Sequence, residues 1–242
     1  MRRRIAILGI TAAVFSASRQ GEAYDNRFHL QFTAALAMIA GFNRAEAFEL
    51  AKYDLATDYD PSTKPISWDL DRRRNYHFPY AVQIEERRRA AFACTAGRPP
   101  TASRYRAMGQ YLHILEDKHS HKDYINAAMH PPGGPDYPWN GKDGPDTFLA
   151  MSSEKFDALL KLRRACFDHQ APVVSFQPAE QKIRAWVEGE KRAGYFGPGP
   201  TERWRVFERD FYGPDLAVLT NDLQQHYDRW INTQKKSGWT QP

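Results

Sequence analysis

Apolar positions along this chain recur at the three- and four-residue spacing of buried helical stripes, and no stretch shows the strict alternation of a half-buried strand. Phe28 to Ile39 (FHLQFTAALAMI) reads as a buried helix stopped by Gly41. Asn43 followed three residues later by Glu46 has the form of a capping box. It opens a second helix from Arg44 to about Asp58, which should end before Pro61. A less regular segment follows through Asn75-Tyr76-His77-Phe78-Pro79, then a helix from Tyr80 to Ala96, with Gly97 and Pro99-Pro100 as its stop. Thr101 is placed to cap a long helix running to about Met129, broken by Pro131-Pro132-Gly133-Gly134-Pro135. Further helices are predicted over Pro145 to His169, Ala179 to Arg192, Thr201 to Arg209 and Asp215 to Lys235. The pattern therefore predicts an all-α fold.

The helix from Thr101 carries the most informative chemistry. His113, Asp117 and His121 are spaced i, i+4, i+8, so one helical face presents imidazole, carboxylate and imidazole over three turns. These are ligand types that Zn²⁺ takes. Leu112, Ile114 and Leu115 flank the stripe and pull it toward a core rather than into water. On this reading Glu116 lies off the ligand face, and His119, about 200° from both Asp117 and His121, points away from it. Three ligands on one helix do not complete a multi-metal site. Other candidates sit where helices should begin or end: His29, Asp58, Asp60, His77, His130 and Asp136.

Composition changes the picture in three places. With 42% hydrophobic and 26% charged residues over 242 positions, the chain can bury a sizeable core and is not a disordered one. The start, Met1-Arg2-Arg3-Arg4 followed by apolar Ile5 to Phe15, reads as a secretory signal, too short to span a bilayer. Cleavage is expected after Ala23, leaving residues 24–242 as a single exported domain without a transmembrane segment, secreted or periplasmic. Arg2, Arg3, Arg4 and Arg19 against Glu22 account for most of the net charge of +5, so global charge says little about nucleic acid. Two local clusters survive, Arg72-Arg73-Arg74 and Arg87-Arg88-Arg89. The only cysteines, Cys94 and Cys166, form no CxxC pattern and are candidates for one structural disulfide.

On these residues the chain resembles the superfamily of zinc-dependent bacterial phospholipases C and single-strand-specific zinc nucleases. The resemblance rests on Leu112-His113-x3-Asp117 with His121 downstream, on His29 early in the mature chain, and on an Asp followed by the isolated His77. It is most similar to a bacterial branch with Ser120-His121-Lys122-Asp123-Tyr124 and the loop His130-Pro131-Pro132-Gly133-Gly134-Pro135-Asp136. The match covers about residues 24–150.

The resemblance implies a helical domain holding up to three zinc ions, with the mature N-terminal residue, here Tyr24, as a ligand. Carried onto this chain, one ion would take Asp58, His77, His113 and Asp117. A close neighbour would take Tyr24, His29 and Asp117. A third would take His121, His130 and a carboxylate, for which Asp136 is the candidate. Asp58, chosen over Asp60, would be both ligand and catalytic base. The expected activity is phosphoester hydrolysis of the phospholipase C kind. A phospholipid head group is the favoured substrate, with peripheral membrane contact. The alternatives are a zinc-dependent single-strand nuclease or 3′-nucleotidase, and a non-catalytic zinc-binding exported protein.

Overall fold

The computed structural model describes residues 28–65, 69–77, 79–95, 99–120, 144–168, 170–172, 174–193, 202–237 and 239. The fold is all-α, with no strand among the described residues. A π-helical turn, Phe28–Phe32, leads into α1, Thr33–Ile39. Then follow α2 (Arg44–Ala56), α3 (Leu70–Tyr76), α4 (Ala81–Ala91), α5 (Ala102–Ser120), α6 (Gly144–Cys166), α7 (Gln177–Ala193) and α8 (Glu202–Lys236).

Local signals set several of these boundaries. Gly41, at φ +93°, ends α1 in a left-handed step, and its N–H and that of Phe42 donate to Met38 and Ala37. Asn43 and Glu46 form the capping box of α2, with reciprocal bonds of 3.0 and 2.9 Å. Two expectations need correction. The segment before His77 is a short helix, α3, capped by Asp69, whose carboxylate accepts the Arg72 N–H at 2.9 Å. The helix after it ends at Ala91 rather than Ala96, because Cys94 leaves the helical path and is disulfide-bonded to Cys166, 5.3 Å away between Cα atoms. In the chain-entropy account, closing a loop across a separation of 72 residues is worth about 4 kcal/mol. The two expected closing helices meet at Gly213, whose φ of 67° and ψ of 174° break α8.

Two apolar clusters grip the same helices. The larger joins Phe32, Leu36, Leu50, Leu112, Phe148, Leu159 and Ile183 with Phe207 and Phe211. The smaller packs Leu30, Phe48 and Leu55 against Leu223, Tyr227 and Ile231 of α8. Helix α2 therefore has core on both sides, and every residue from Leu50 to Ala56 is buried. Its polar members, Lys52 and Asp54, are buried with the rest and must find partners inside the protein.

Helices α2 and α5 cross at Gly109. A Cβ there would stand 2.5 Å from the Tyr53 carbonyl carbon and 2.6 Å from the Asp54 nitrogen. Only a glycine lets these backbones touch, and the contact sets the last three turns of α5 against the C-terminal half of α2. Gly109→Ala should force the pair apart and lower the unfolding free energy by about 1–3 kcal/mol. Urea denaturation would show this as a lower midpoint at unchanged slope.

Candidate metal centre

The facing surfaces of α2 and α5 each carry a carboxylate-bearing pair four residues apart, Asp54 and Asp58 on one, His113 and Asp117 on the other. Asp58 lies in the turn that follows α2. Glu116 joins from α5, His29 from the π-helical turn, His77 from the C-terminal end of α3, and Lys155 from α6. His29, Asp54, His113, Glu116, Asp117 and Lys155 are wholly buried, and Asp58 and His77 nearly so.

One half of the group is built from four donors. His113 Nε2 lies 3.4 Å from Asp58 Oδ1, 3.2 Å from Asp117 Oδ2 and 3.2 Å from His77 Nδ1. His77 Nδ1 lies 3.6 Å from Asp58 Oδ1 and 3.1 Å from Asp117 Oδ2. His77 is held by its other nitrogen, Nε2, which donates to the Thr63 carbonyl at 2.9 Å. That bond leaves Nδ1 unprotonated in the neutral ring, with its lone pair toward the carboxylates. His29 completes the rim, its Nε2 3.7 Å from Asp58 Oδ2. Asp58 Oδ2 is buried and accepts no hydrogen bond among the described residues, which is costly for a carboxylate oxygen unless a cation meets it.

The other half lies deeper. His29 Nδ1 bonds Glu116 Oε2 at 2.5 Å and Asp54 Oδ1 at 3.2 Å. His113 Nδ1 stands 3.3 Å from the same Asp54 oxygen, and the two imidazoles stack at 4.3 Å. The second oxygens of Asp54 and Glu116 both accept from Lys155 Nζ, the former at 2.7 Å. Lys155 also donates to the Thr33 hydroxyl, which itself donates to Asp54 at 2.7 Å.

Four carboxylates share this interior with one ammonium. Burial opposes protonation of His29, but Glu116 and then Asp54 outweigh it and hold the imidazole well above its usual pKa. Burial acts the same way on His113, where Asp117 and Asp58 prevail and raise it to about 10. Burial would raise Asp54, yet Lys155 foremost, then His113 and His29, hold it well below the usual carboxylate range. The cluster thus recruits positive charge, and its buried His, Asp and Glu groups can hold a metal ion.

Of the nine metal candidates, the structure brings together His29, Asp58, His77, His113 and Asp117. Tyr24, His121, His130 and Asp136 lie outside the described residues. Asp60 is turned away: one carboxylate oxygen accepts from Ser62 and the other pairs with Arg106 at 3.2 Å. Asp54, Lys155 and Thr33 join the site from positions that sequence spacing does not single out, and Glu116, expected off the ligand face, lies on it. It is three residues from His113, about 60° around the helix, and so shares the buried face. His119 leaves that face as expected and bonds Glu154 of α6 at 2.6 Å. That bond, more than the neighbouring Lys118, lowers Glu154 to about 2.

Comparison of the chain with known family models, with curated proteins and with solved structures finds no match.

The raised pKa of His113 carries a sign. A proton held more tightly by the folded chain than by the unfolded one stabilises the fold fully below pH 6.5, and that contribution is lost as pH rises through about 10. Chelator-treated protein should therefore show a urea midpoint that falls steadily across this range. A midpoint that holds constant or climbs would contradict the assignment.

Proposed function

We propose that the chain is an exported zinc-dependent phosphoester hydrolase, related in kind to the phospholipases C, with Asp58, His77, His113 and Asp117 as zinc donors and His29 beside them. The observation that carries the reading is the convergence of Asp58, His77 and His113, whose ligand atoms all lie within 4.8 Å of one another, with Asp117 Oδ2 at 3.1 and 3.2 Å from the two imidazoles. Donors on a four-coordinate zinc with bonds of about 2.0–2.2 Å stand about 3.3–3.6 Å apart. The mixed nitrogen and oxygen set suits zinc better than calcium or magnesium, which take oxygen almost alone.

A zinc ion held there would polarise a phosphoryl oxygen and bring the pKa of water toward about 7. The protein's part is to position and to move protons. Asp58 Oδ2, which accepts no hydrogen bond among the described residues, is placed to take a proton from an attacking water. His29 Nε2 lies 3.7 Å from that oxygen. Thr63, through its carbonyl, fixes the ring of His77.

Three features favour a phospholipid over a nucleic acid. Arg88 and Arg89 are both engaged by Glu85, at 2.7 and 2.9 Å. Arg72 is engaged by Asp69 and by the Pro61 carbonyl. Tyr80 and Val82, 47% and 56% exposed, follow His77 closely in the chain and offer apolar surface to a membrane. No helix among the described residues is long and apolar enough to cross a bilayer, so the contact proposed is peripheral. The Cys94–Cys166 disulfide supports export to an oxidising compartment. A second reading, a zinc-holding protein without catalysis, draws on the near-complete burial of the donors, since closed sites are typically structural.

Zinc-loaded protein should release phosphocholine from phosphatidylcholine and leave single-stranded DNA intact. Asp58→Asn should cut that rate on the order of 10²-fold or more. DNA cleavage without phosphocholine release would instead select the nuclease reading. Bound zinc with no hydrolysis of either substrate would select the non-catalytic one.

A further inference from the structure

We propose that Lys155 fills with its own side chain a cation position between Asp54, Glu116 and His29 that a second divalent ion would otherwise take. The inference rests on the metal reading of the neighbouring donors and extends it to the number of ions. An ammonium has three donors and no acceptor. Lys155 Nζ directs its three at Asp54 Oδ2, Glu116 Oε1 and Thr33 Oγ1, each belonging to a wholly buried residue. Two of the three acceptors are carboxylates, on different helices, and they bring the charge that a divalent cation would need.

His29, Asp54, His113 and Glu116 also offer donor atoms within 4.8 Å of one another. In isolation that set reads as a metal site. Its carboxylates are already satisfied on one side by the ammonium, and on the other they face imidazole Nδ1 atoms. Lys155 therefore acts as a positioning residue. By holding Asp54 and Glu116, it turns the Nδ1 atoms of His29 and His113 inward and leaves both Nε2 atoms toward Asp58. Carboxylates that orient metal-binding imidazoles in this way typically change metal affinity 10–100-fold when removed.

Lys155→Met keeps the unbranched length and deletes the charge. Purified wild-type and variant chains, equilibrated with zinc chloride and dialysed, are assayed for zinc per chain by atomic emission. Thermal unfolding is followed by circular dichroism with and without zinc. The variant is expected to carry one zinc more than the wild type, and zinc should raise its melting temperature more than it raises the wild type's. A second change, Glu116→Gln on the Lys155→Met background, should abolish the extra ion. Equal zinc counts in two folded proteins would overturn the inference and leave Lys155 a structural counter-ion. So would a Lys155→Met chain that stays unfolded at every zinc concentration, because zinc must be able to replace the ammonium. A wild type that binds no zinc, beside a variant that binds one, would instead remove the metal reading of the Asp58 half while sustaining the role assigned to Lys155.

Discussion

The structure depends on a charge constraint: Asp54, Asp58, Glu116 and Asp117 are enclosed together, and among the described residues one lysine, Lys155, is enclosed with them. Uncompensated carboxylates do not survive in an interior of low polarity, so the cluster must draw cations to itself. Lys155 meets one end. At the other end, protons on the imidazoles or a metal ion must supply the balance, and the same electrostatic pull that raises His113 and His29 would bind a divalent cation. Site and core are thus one object. The helices that enclose the carboxylates are those whose leucines and phenylalanines form the apolar clusters.

Geometry makes this enclosure possible at one crossing. Gly109 lets α5 lie against the backbone of α2 at Tyr53 and Asp54. One turn further along α5 comes His113, and two turns further comes Asp117. The i, i+4 repeat on α5 is therefore matched against a repeat of the same spacing that begins at Asp54. The π-helical turn at Phe28–Phe32 brings His29 into the same layer, and α3 ends where His77 can reach it. Each histidine arrives from a different element, yet all three are fixed by a hydrogen bond or close charge pair on the nitrogen that faces away from Asp58, or by Thr63 for His77.

Much of this was legible in the chain. The all-α class followed from helical periodicity, and the start of α2 from its capping residues. His113 and Asp117 stood out because imidazole and carboxylate at helical spacing, flanked by leucine and isoleucine, have no ordinary place on an apolar face. Asp54 did not stand out. It sits among Asp58 and Asp60 in one short stretch, and its face is interior because His29, Thr33, His113 and Lys155, all distant in sequence, close over it. Lys155 lies in a run with exposed and half-exposed neighbours, Ser153 and Glu154, and resembles a surface lysine until Thr33, Asp54 and Glu116 are seen around it. Glu116 shares the face of His113 through i, i+3 spacing, a relation that the i, i+4 repeat of His113, Asp117 and His121 hides. The short helix α3 escaped because its seven residues include three arginines and no buried apolar position.

The Cys94–Cys166 linkage has a topological consequence for this cluster. It closes a covalent ring that contains all of α5 and all of α6, and so His113, Glu116, Asp117 and Lys155. His29, Asp54, Asp58 and His77 belong to the open strand of chain that precedes it. Even in a denatured chain with its sulfurs joined, the lysine and its Glu116 partner remain on one tether of fixed contour length. The aspartates of α2 must be recruited from outside it. The positions of the two cysteines thereby decide which half of the charge cluster lies within one covalent ring, and which half must be brought to it from outside.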